Sequence, residues 1–289
     1  MKILWVVVSP EQQSLTHSLH REGLEALQAQ GHEVRVSDLY AMNFNPLVTA
    51  ADYGHDIDGP LRVGGESQKA YEGGTLAADI VAEQEKLAWA DAVIFHFPLW
   101  WYGMPAMLKG YFDRVFVQGY AYRVRDPHDR RRTLRYGEGN MAGKRALVIT
   151  SCGSADYAVG PRGISGQLDE VLFGLLHGTL WYTGFSVLPL VCIDSADRLG
   201  EHGYANAVNT VRSAVTAIEE TDPIAYRFQN FGDYDRDVLK DDILPGQTGL
   251  SIHTKTPVEI ATDIATDIAT DIATEIATEY EETLCVSAR

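Results

Sequence analysis

"ADAVIFHFPLWWYGMPAMLKGYFDRVF", Ala90 to Phe116, is the stretch whose reading decides the fold. Its run at 92–97, apolar but for His96, reads as a strand covered on both faces. Met104, Leu108, Tyr111, Phe112, Val115 and Phe116 then fall on one face of a helix. Pro105 sits in that helix's first turn, where a missing N–H costs nothing. Between strand and helix lie Trp100, Trp101 and Tyr102, bracketed by Pro98 and Gly103. Proline and glycine mark a surface turn, which sets three large aromatics where solvent or a ligand meets them.

Outward from this unit the pattern repeats. Apolar runs at 3–8, 33–39, 146–151 and 186–193 read as further strands. Helical faces come from Leu15, Leu19, Ala26 and Leu27, from Ile80, Leu87 and Ala88, and from residues 166–182 and 204–219. Strand alternating with helix, the strands nearly continuously apolar, predicts an α/β fold. It is expected to be a doubly wound, five-stranded parallel sheet with helices on both faces. Two segments break the rhythm. Residues 50–74 are glycine-rich and are expected to form a long loop. Residues 223–253 are polar, carry Pro245-Gly246, and are expected to be an irregular extension.

The 289 residues suffice for one large α/β domain or two modest ones. A net charge of −16 argues against nucleic acid and against an anionic membrane surface as partners. From Pro257 onward eight acids face Arg289 alone, a net of −7, which leaves −9 for the rest. That tail repeats as IATD, IATD, IATD, IATE, IATE from Ile260 to Glu279. It reads first as low-complexity and disordered, and second as a solvated helix or partner-binding handle. Cys152, Cys192 and Cys285 lie far apart with no CxxC spacing, which argues against a zinc site and against a disulfide framework. The apolar run after Lys2 is too short for a signal peptide or a membrane span, so a cytoplasmic protein is expected.

In an open α/β sheet, ligands bind beyond the carboxyl ends of the strands, where the winding reverses. After the first strand, "SPEQQSLT" (Ser9 to Thr16) puts Ser14 and Thr16 at a helix N-terminus, as a plain cap or as an anion site. After the third strand, Trp101 and Tyr102 offer a stacking plate for a flat ligand or a subunit interface. After the fourth, "TSCGSADY" (Thr150 to Tyr157) offers hydroxyls and a glycine. In a 2-1-3-4-5 strand order these three loops converge into an anion site, an aromatic plate and a polar rim, a flavin-shaped constellation. There is no GxGxxG, no P-loop and no GxSxG, and the nine histidines show no metal spacing. Cys152 has no base near it in sequence and reads as a small packing residue.

At these residues the chain resembles the NAD(P)H:quinone oxidoreductase family, the DT-diaphorase-like flavodoxin-fold flavoproteins. The segments that carry the resemblance are "SDLYAMNFNP" (Ser37–Pro46), "DIVAEQEKLAWADAVIFHFPLWWYGMPAMLKGYFDRVF" (Asp79–Phe116), "RGISGQLDEVLF" (Arg162–Phe173) and "HGTLWYTGFSVL" (His177–Leu188). "GDY" and "LPGQTGLSIH", within Gly232–His253, look like a terminal segment of bacterial members. The resemblance covers roughly residues 1–253.

It implies a flavodoxin-like fold, non-covalent FAD and a homodimer with its sites at the interface. It also implies a ping-pong reaction. A nicotinamide, NADH or NADPH, passes hydride to flavin N5, then a quinone in the same pocket takes two electrons. Residue by residue, it places Ser14, Leu15 and Thr16 on the FAD pyrophosphate. Pro98, Leu99, Trp101 and Tyr102 lie along the isoalloxazine, and Thr150, Ser151, Cys152 and Gly153 bond its polar edge. Tyr157 is the catalytic tyrosine beside the flavin, and Tyr122 and Tyr182, with Trp101 and Tyr102, line the substrate pocket. No metal is implied.

Four positions depart from the family pattern. Ser9 stands where many members carry a histidine near the phosphates. Arg62 falls where some members place a glutamine. Cys152 replaces one glycine of a Gly-Gly pair. Ser165 replaces the histidine or asparagine paired with the catalytic tyrosine. On this reading residues 1–222 are the flavin-binding domain, 223–255 an irregular segment packed on that domain or on a dimer partner, and 256–289 an acidic tail. The alternatives are an FMN-dependent azo- or nitroreductase of the same fold and a non-catalytic flavin- or partner-binding protein.

Overall fold

Five apolar runs pair edge to edge in a computed structural model that describes residues 1–265. In chain order the elements are β1 (Lys2–Val7), α1 (Leu15–Ala29), β2 (Glu33–Asp38), α2 (Val63–Gly73), α3 (Ala78–Trp89), β3 (Ala92–Pro98), α4 (Ala106–Val115) and β4 (Arg145–Ser151). There follow β5, in two pieces (Ser186–Val187 and Val191–Ile193), and α5 (Glu201–Thr216). The sheet order is β2-β1-β3-β4-β5 and every pairing is parallel, as the alternation of strand and helix predicts.

Because side chains alternate along a strand, each central strand supplies two cores. Leu4, Val6, Phe95 and Phe97 pack with Ile80 and Leu87 of α3 and with Leu108, Tyr111 and Val115 of α4. Ile3, Trp5, Val7 and Ile94 pack on the other face with Leu19 and Leu27 of α1 and with Val211 and Val215 of α5. Each fully buried Leu, Val or Phe contributes about 1.5–3 kcal/mol.

The apolar face expected of α4 is the face it buries. Gly110 lets α4 lie against residue 46, since an added Cβ would fall 2.2 Å from the Pro46 carbonyl oxygen. One turn on, the buried Arg114 donates to Asp52 at 2.8 Å, to Asp79 at 2.6 Å and to the Asn45 carbonyl at 2.9 Å. One guanidinium thus ties α4 to α3 and to the chain that follows β2.

Three segments differ from expectation. Residues 50–74 are not one long loop: a short turn at Ala50–Asp52 precedes α2. Gly64 and Gly65 are poor helix formers, but Ser67 and Ala70 are buried and Tyr71 packs on Tyr120 with ring centroids 5.7 Å apart. Tertiary packing overrides propensity there. Residues 166–182 form no single helix but the turns Leu168–Val171 and Phe173–Leu175 and a π-helical stretch, Leu176–Trp181. Within 186–193 the strand breaks at Pro189, which has no N–H for the ladder.

Residues 223–253 carry only a small hairpin, Tyr234–Asp235 with Val238–Leu239, and a short turn at Ser251–His253. Residues 257–265 are helical, and Glu259 there pairs with the buried Arg227 at 2.7 Å. Most of the IATD/IATE repeat and Cys285 lie outside the described residues. No helix among the described residues is long and apolar enough to cross a membrane.

Candidate active site

β1, β3 and β4 are neighbours, so the loops that leave their carboxyl ends emerge side by side. Backbone bonds continue past the ladders: Val8 N–H donates to His96 O at 2.9 Å, and Leu99 N–H donates to Ser151 O at 2.8 Å. The segments 9–16, 98–103 and 150–157 therefore start level with one another, as the strand order requires.

In the first loop Ser14 caps α1, its hydroxyl accepting from His17 N–H at 3.3 Å and from the Ser9 hydroxyl at 3.0 Å. Leu15 and Thr16 open the helix, where amides have no carbonyl a turn behind them and no acid competes in the first turn. The loop also holds a residue that the sequence reading missed. His17 is buried, with Nδ1 3.1 Å from the Glu11 carbonyl and 3.3 Å from Ser14 Oγ, and with Nε2 3.0 Å from Asp38 at the end of β2. Ser9 departs from the family pattern noted above, yet an imidazole stands beside this loop through His17, in the first turn of α1. Its only sequence signal is a spacing of three residues from the cap.

Burial works against the charge on Asp38, but hydrogen bonds from Gln12, from the Ala41 amide and from His17 outweigh it and hold the carboxyl below its usual range. Beneath the loop, burial and then the neighbouring His17 push His20 down to about 4, and burial pushes His96 down to about 3. Both are neutral at pH 7, so neither lends positive charge to the loop above.

In the second loop Trp100 and Gly103 exchange two backbone bonds, each 3.0 Å, around a two-residue turn. The two central residues, Trp101 and Tyr102, have φ of 48° and 59°. Left-handed backbone costs about 1–2 kcal/mol per residue with a Cβ, and a turn of this kind ordinarily carries Asn-Gly. The strain turns the two rings outward, with Trp101 98% exposed and Tyr102 57%. Pro98 and Leu99 are half-buried at the base of the turn.

In the third loop the Thr150 side chain is spent on structure: it is buried and donates to Phe97 O at 2.9 Å. Ser151 supplies the carbonyl that holds Leu99. Cys152 is buried with its sulfur 3.7 Å from that of Cys192, and the Gly153 carbonyl accepts from Arg198 at 3.0 Å. Tyr157, on a short turn at Asp156–Ala158, is 82% exposed. The Ser165 hydroxyl accepts from the Tyr102 hydroxyl at 3.3 Å, and its amide donates at 3.0 Å to the carbonyl of Ala158, the residue that follows Tyr157. The second and third loops are joined through that contact.

Tyr102 also enters the wall of a cavity of about 460 Å³, together with Met104, Phe112, Phe116, Tyr122 and Tyr182. Burial raises the Tyr182 phenol above its usual value, so it stays protonated and can donate. Tyr102, Tyr122 and Tyr182, which only the resemblance grouped together, share this one cavity, whereas Trp101 and Tyr157 face solvent outside its wall. Arg62 is the residue before α2, whose first turn approaches Tyr122: a Cβ on Gly64 would lie 3.3 Å from the Tyr122 hydroxyl.

The family model described as "Flavodoxin-like fold" matches residues 1–215. A ribosyldihydronicotinamide dehydrogenase-like protein, traD, of Penicillium crustosum is 42% identical over 263 residues, which are 90% of this chain and 97% of that one. The chain belongs to the NAD(P)H:quinone oxidoreductase family of flavodoxin-fold proteins. Rat NAD(P)H dehydrogenase [quinone] 1 is 39% identical over 78% of this chain and 80% of its own. Among solved structures of the fold, a Klebsiella pneumoniae protein provisionally named a quinone reductase superposes with a TM-score of 0.85 at 43% identity, covering 88% of this chain and all of its own.

Proposed function

We propose that this oxidoreductase is an FAD-dependent NAD(P)H:quinone reductase in which nicotinamide and quinone use one pocket in turn. The observation that carries the reading is the double position of Tyr102, which belongs both to the strand-end loops and to the wall of the aromatic cavity. A flavin supplies the hydride and electron chemistry in such enzymes; the protein binds, orients and tunes it.

The residues present fit that group. The first turn of α1, with Ser14, Leu15 and Thr16 and no acid, suits a pyrophosphate. Trp101 and Tyr102, strained into solvent, suit a flat ring system, for which Pro98 and Leu99 form the floor. Gly153 offers its amide to the polar edge, whereas the Cys152 amide and carbonyl are engaged with Ile193 and Ala196 and the Ser151 carbonyl with Leu99, so these residues shape the loop that carries that amide. The Thr150 side chain is already engaged and its backbone lies in the ladder between β3 and β5, so Thr150 supports the loop from below. Tyr157 has an exposed phenol that can donate a hydrogen bond where negative charge develops. Tyr122 and Tyr182 orient the acceptor ring in the cavity.

The preference for FAD over FMN rests on the family resemblance. A second copy of the chain would cover the apolar surface formed by Trp101, Tyr157 and Ile164, which the Tyr102–Ser165–Ala158 contacts gather together. The proposal includes a reducing, cytoplasmic setting in which Cys152 and Cys192 rest as thiols.

The test is anaerobic. Purified protein should release FAD on heating, lose its yellow colour with NADH or NADPH, and regain it with a quinone in two-electron steps. Released FMN would change the cofactor assignment. A bound flavin that neither nicotinamide reduces would refute the enzymatic reading.

A further inference from the structure

Cys152 and Cys192 are forty residues apart in sequence and 3.7 Å apart at their sulfurs. The sheet explains why. Thr150 of β4 pairs with Cys192 of β5, and Cys152 lies two residues beyond Thr150, so both cysteines point to the same face. Backbone bonds fix the pair: Cys152 N–H donates to Ile193 O at 2.9 Å, Ala196 N–H to Cys152 O at 2.9 Å and Ser195 N–H to Ser154 O at 2.8 Å. Cys192 is half-buried and lines a cavity of about 520 Å³, bounded also by Val159, Gly160, Gln167 and Leu168. That cavity lets a small solute reach Cys192, and its Val159 and Gly160 wall continues the chain from Tyr157. Cys152 is buried and is absent from that cavity's wall.

We infer that Cys152 and Cys192 form a redox-active dithiol whose closure to a disulfide by a peroxide weakens flavin binding. The second half rests on the functional reading above, which puts the flavin's polar edge on the Cys152–Gly153 loop. The step balances. The Cys192 sulfur attacks one peroxide oxygen, the O–O bond breaks, and water leaves a sulfenic acid. The Cys152 sulfur then attacks the Cys192 sulfur, the S–S bond forms, and a second water leaves. Two thiols are oxidised and one hydrogen peroxide is reduced to two waters. Closing the bond draws the sulfurs together by about 1.6 Å, to the usual S–S length. It also removes the thiol proton that Cys152 directs at Ser154 O, 3.6 Å away. The loop that would hold the flavin edge is pulled toward β5 and loses a tether. Burial raises the Cys192 thiol, so its thiolate is scarce at neutral pH and oxidation accelerates as pH rises.

The full-length, flavin-loaded protein is reduced, desalted and treated with hydrogen peroxide. Non-reducing peptide mass spectrometry and the fluorescence of released flavin are then followed together. A Cys152–Cys192 cross-link is expected, with a flavin Kd raised about tenfold and restored by a dithiol reductant. Cys192→Ser abolishes both changes while leaving binding as in the reduced protein, and Cys152→Ser independently removes the cross-link. Sulfinic acid as the main product, a cross-link to Cys285 instead, or a Cys152–Cys192 cross-link that leaves the Kd unchanged would each overturn the inference. A reduced protein that holds no flavin refutes the functional reading instead, and the cross-link measurement keeps the two failures apart.

Discussion

Replacing Trp101 by alanine, and separately by glycine, isolates the strain stored in the aromatic turn. Both variants lack the indole, so any contact the ring makes with a ligand or a second copy cancels in the comparison. Neither loses buried area, because Trp101 is 98% exposed. What differs is the backbone at φ 48°. Alanine keeps its Cβ and pays about 1–2 kcal/mol for the left-handed conformation, whereas glycine adopts it freely. Against that, glycine frees the unfolded chain by about 0.4–1 kcal/mol. At the midpoints of those ranges the glycine variant should thus be the more stable by about 0.8 kcal/mol. For a domain of this size that raises Tm by about 1–4 °C. The assay is thermal unfolding by circular dichroism at matched flavin content and concentration. At an ordinary helix or strand position the sign reverses, with glycine worse than alanine by about 0.5–1 kcal/mol. A glycine variant no more stable than the alanine one would therefore refute the strained turn.

Tyr157→Phe should slow flavin reduction by the nicotinamide about tenfold or more while leaving flavin content and Tm unchanged, since the exposed ring supports no packing; stopped-flow reduction measures it, and an unchanged rate removes the tyrosine from the chemistry. Arg114→Ala leaves Asp52 buried without its cation and should cost about 3–5 kcal/mol, read from urea unfolding. Glu259 is held down to about 2: burial opposes this, but the Thr256 amide and hydroxyl and the Arg227 guanidinium outweigh it. A depressed carboxyl stabilises above its unfolded value of 4.5 and loses that contribution as pH falls toward 2. Hydrogen exchange in residues 251–265, corrected for intrinsic rates, should therefore increase across that window, and Glu259→Gln should show the increase already at pH 7. Identical exchange in the variant and the parent would rule the pair out as the anchor.

What could be read in the chain was periodic or local. Apolar runs announced the strands, the spacing Leu108, Tyr111, Phe112, Val115 announced α4, and alternation of the two announced a parallel sheet with loops 9–16, 98–103 and 150–157 at one edge. Hydrophobic periodicity is local, so those features need no knowledge of distant partners. The remaining features come from contacts between distant residues. Residues 63–73 are helical because Tyr71 finds Tyr120, and nothing in their own glycine-rich composition says so. The turn at Trp101 and Tyr102 is closed by Trp100 and Gly103 without the residues that normally mark it. His17 reaches Asp38 only because β1 and β2 are adjacent, and Ser165 reaches Tyr102 across sixty-three residues. Cys152 and Cys192, far apart in sequence and without the spacing of a metal site, become neighbours through the register of β4 with β5. Local sequence determined the strands, most of the helices and the edge of the sheet that carries the loops. Tertiary structure decided which side chains meet there, because side-chain proximity across strands is a property of register, and register is settled only when a face of the sheet is buried.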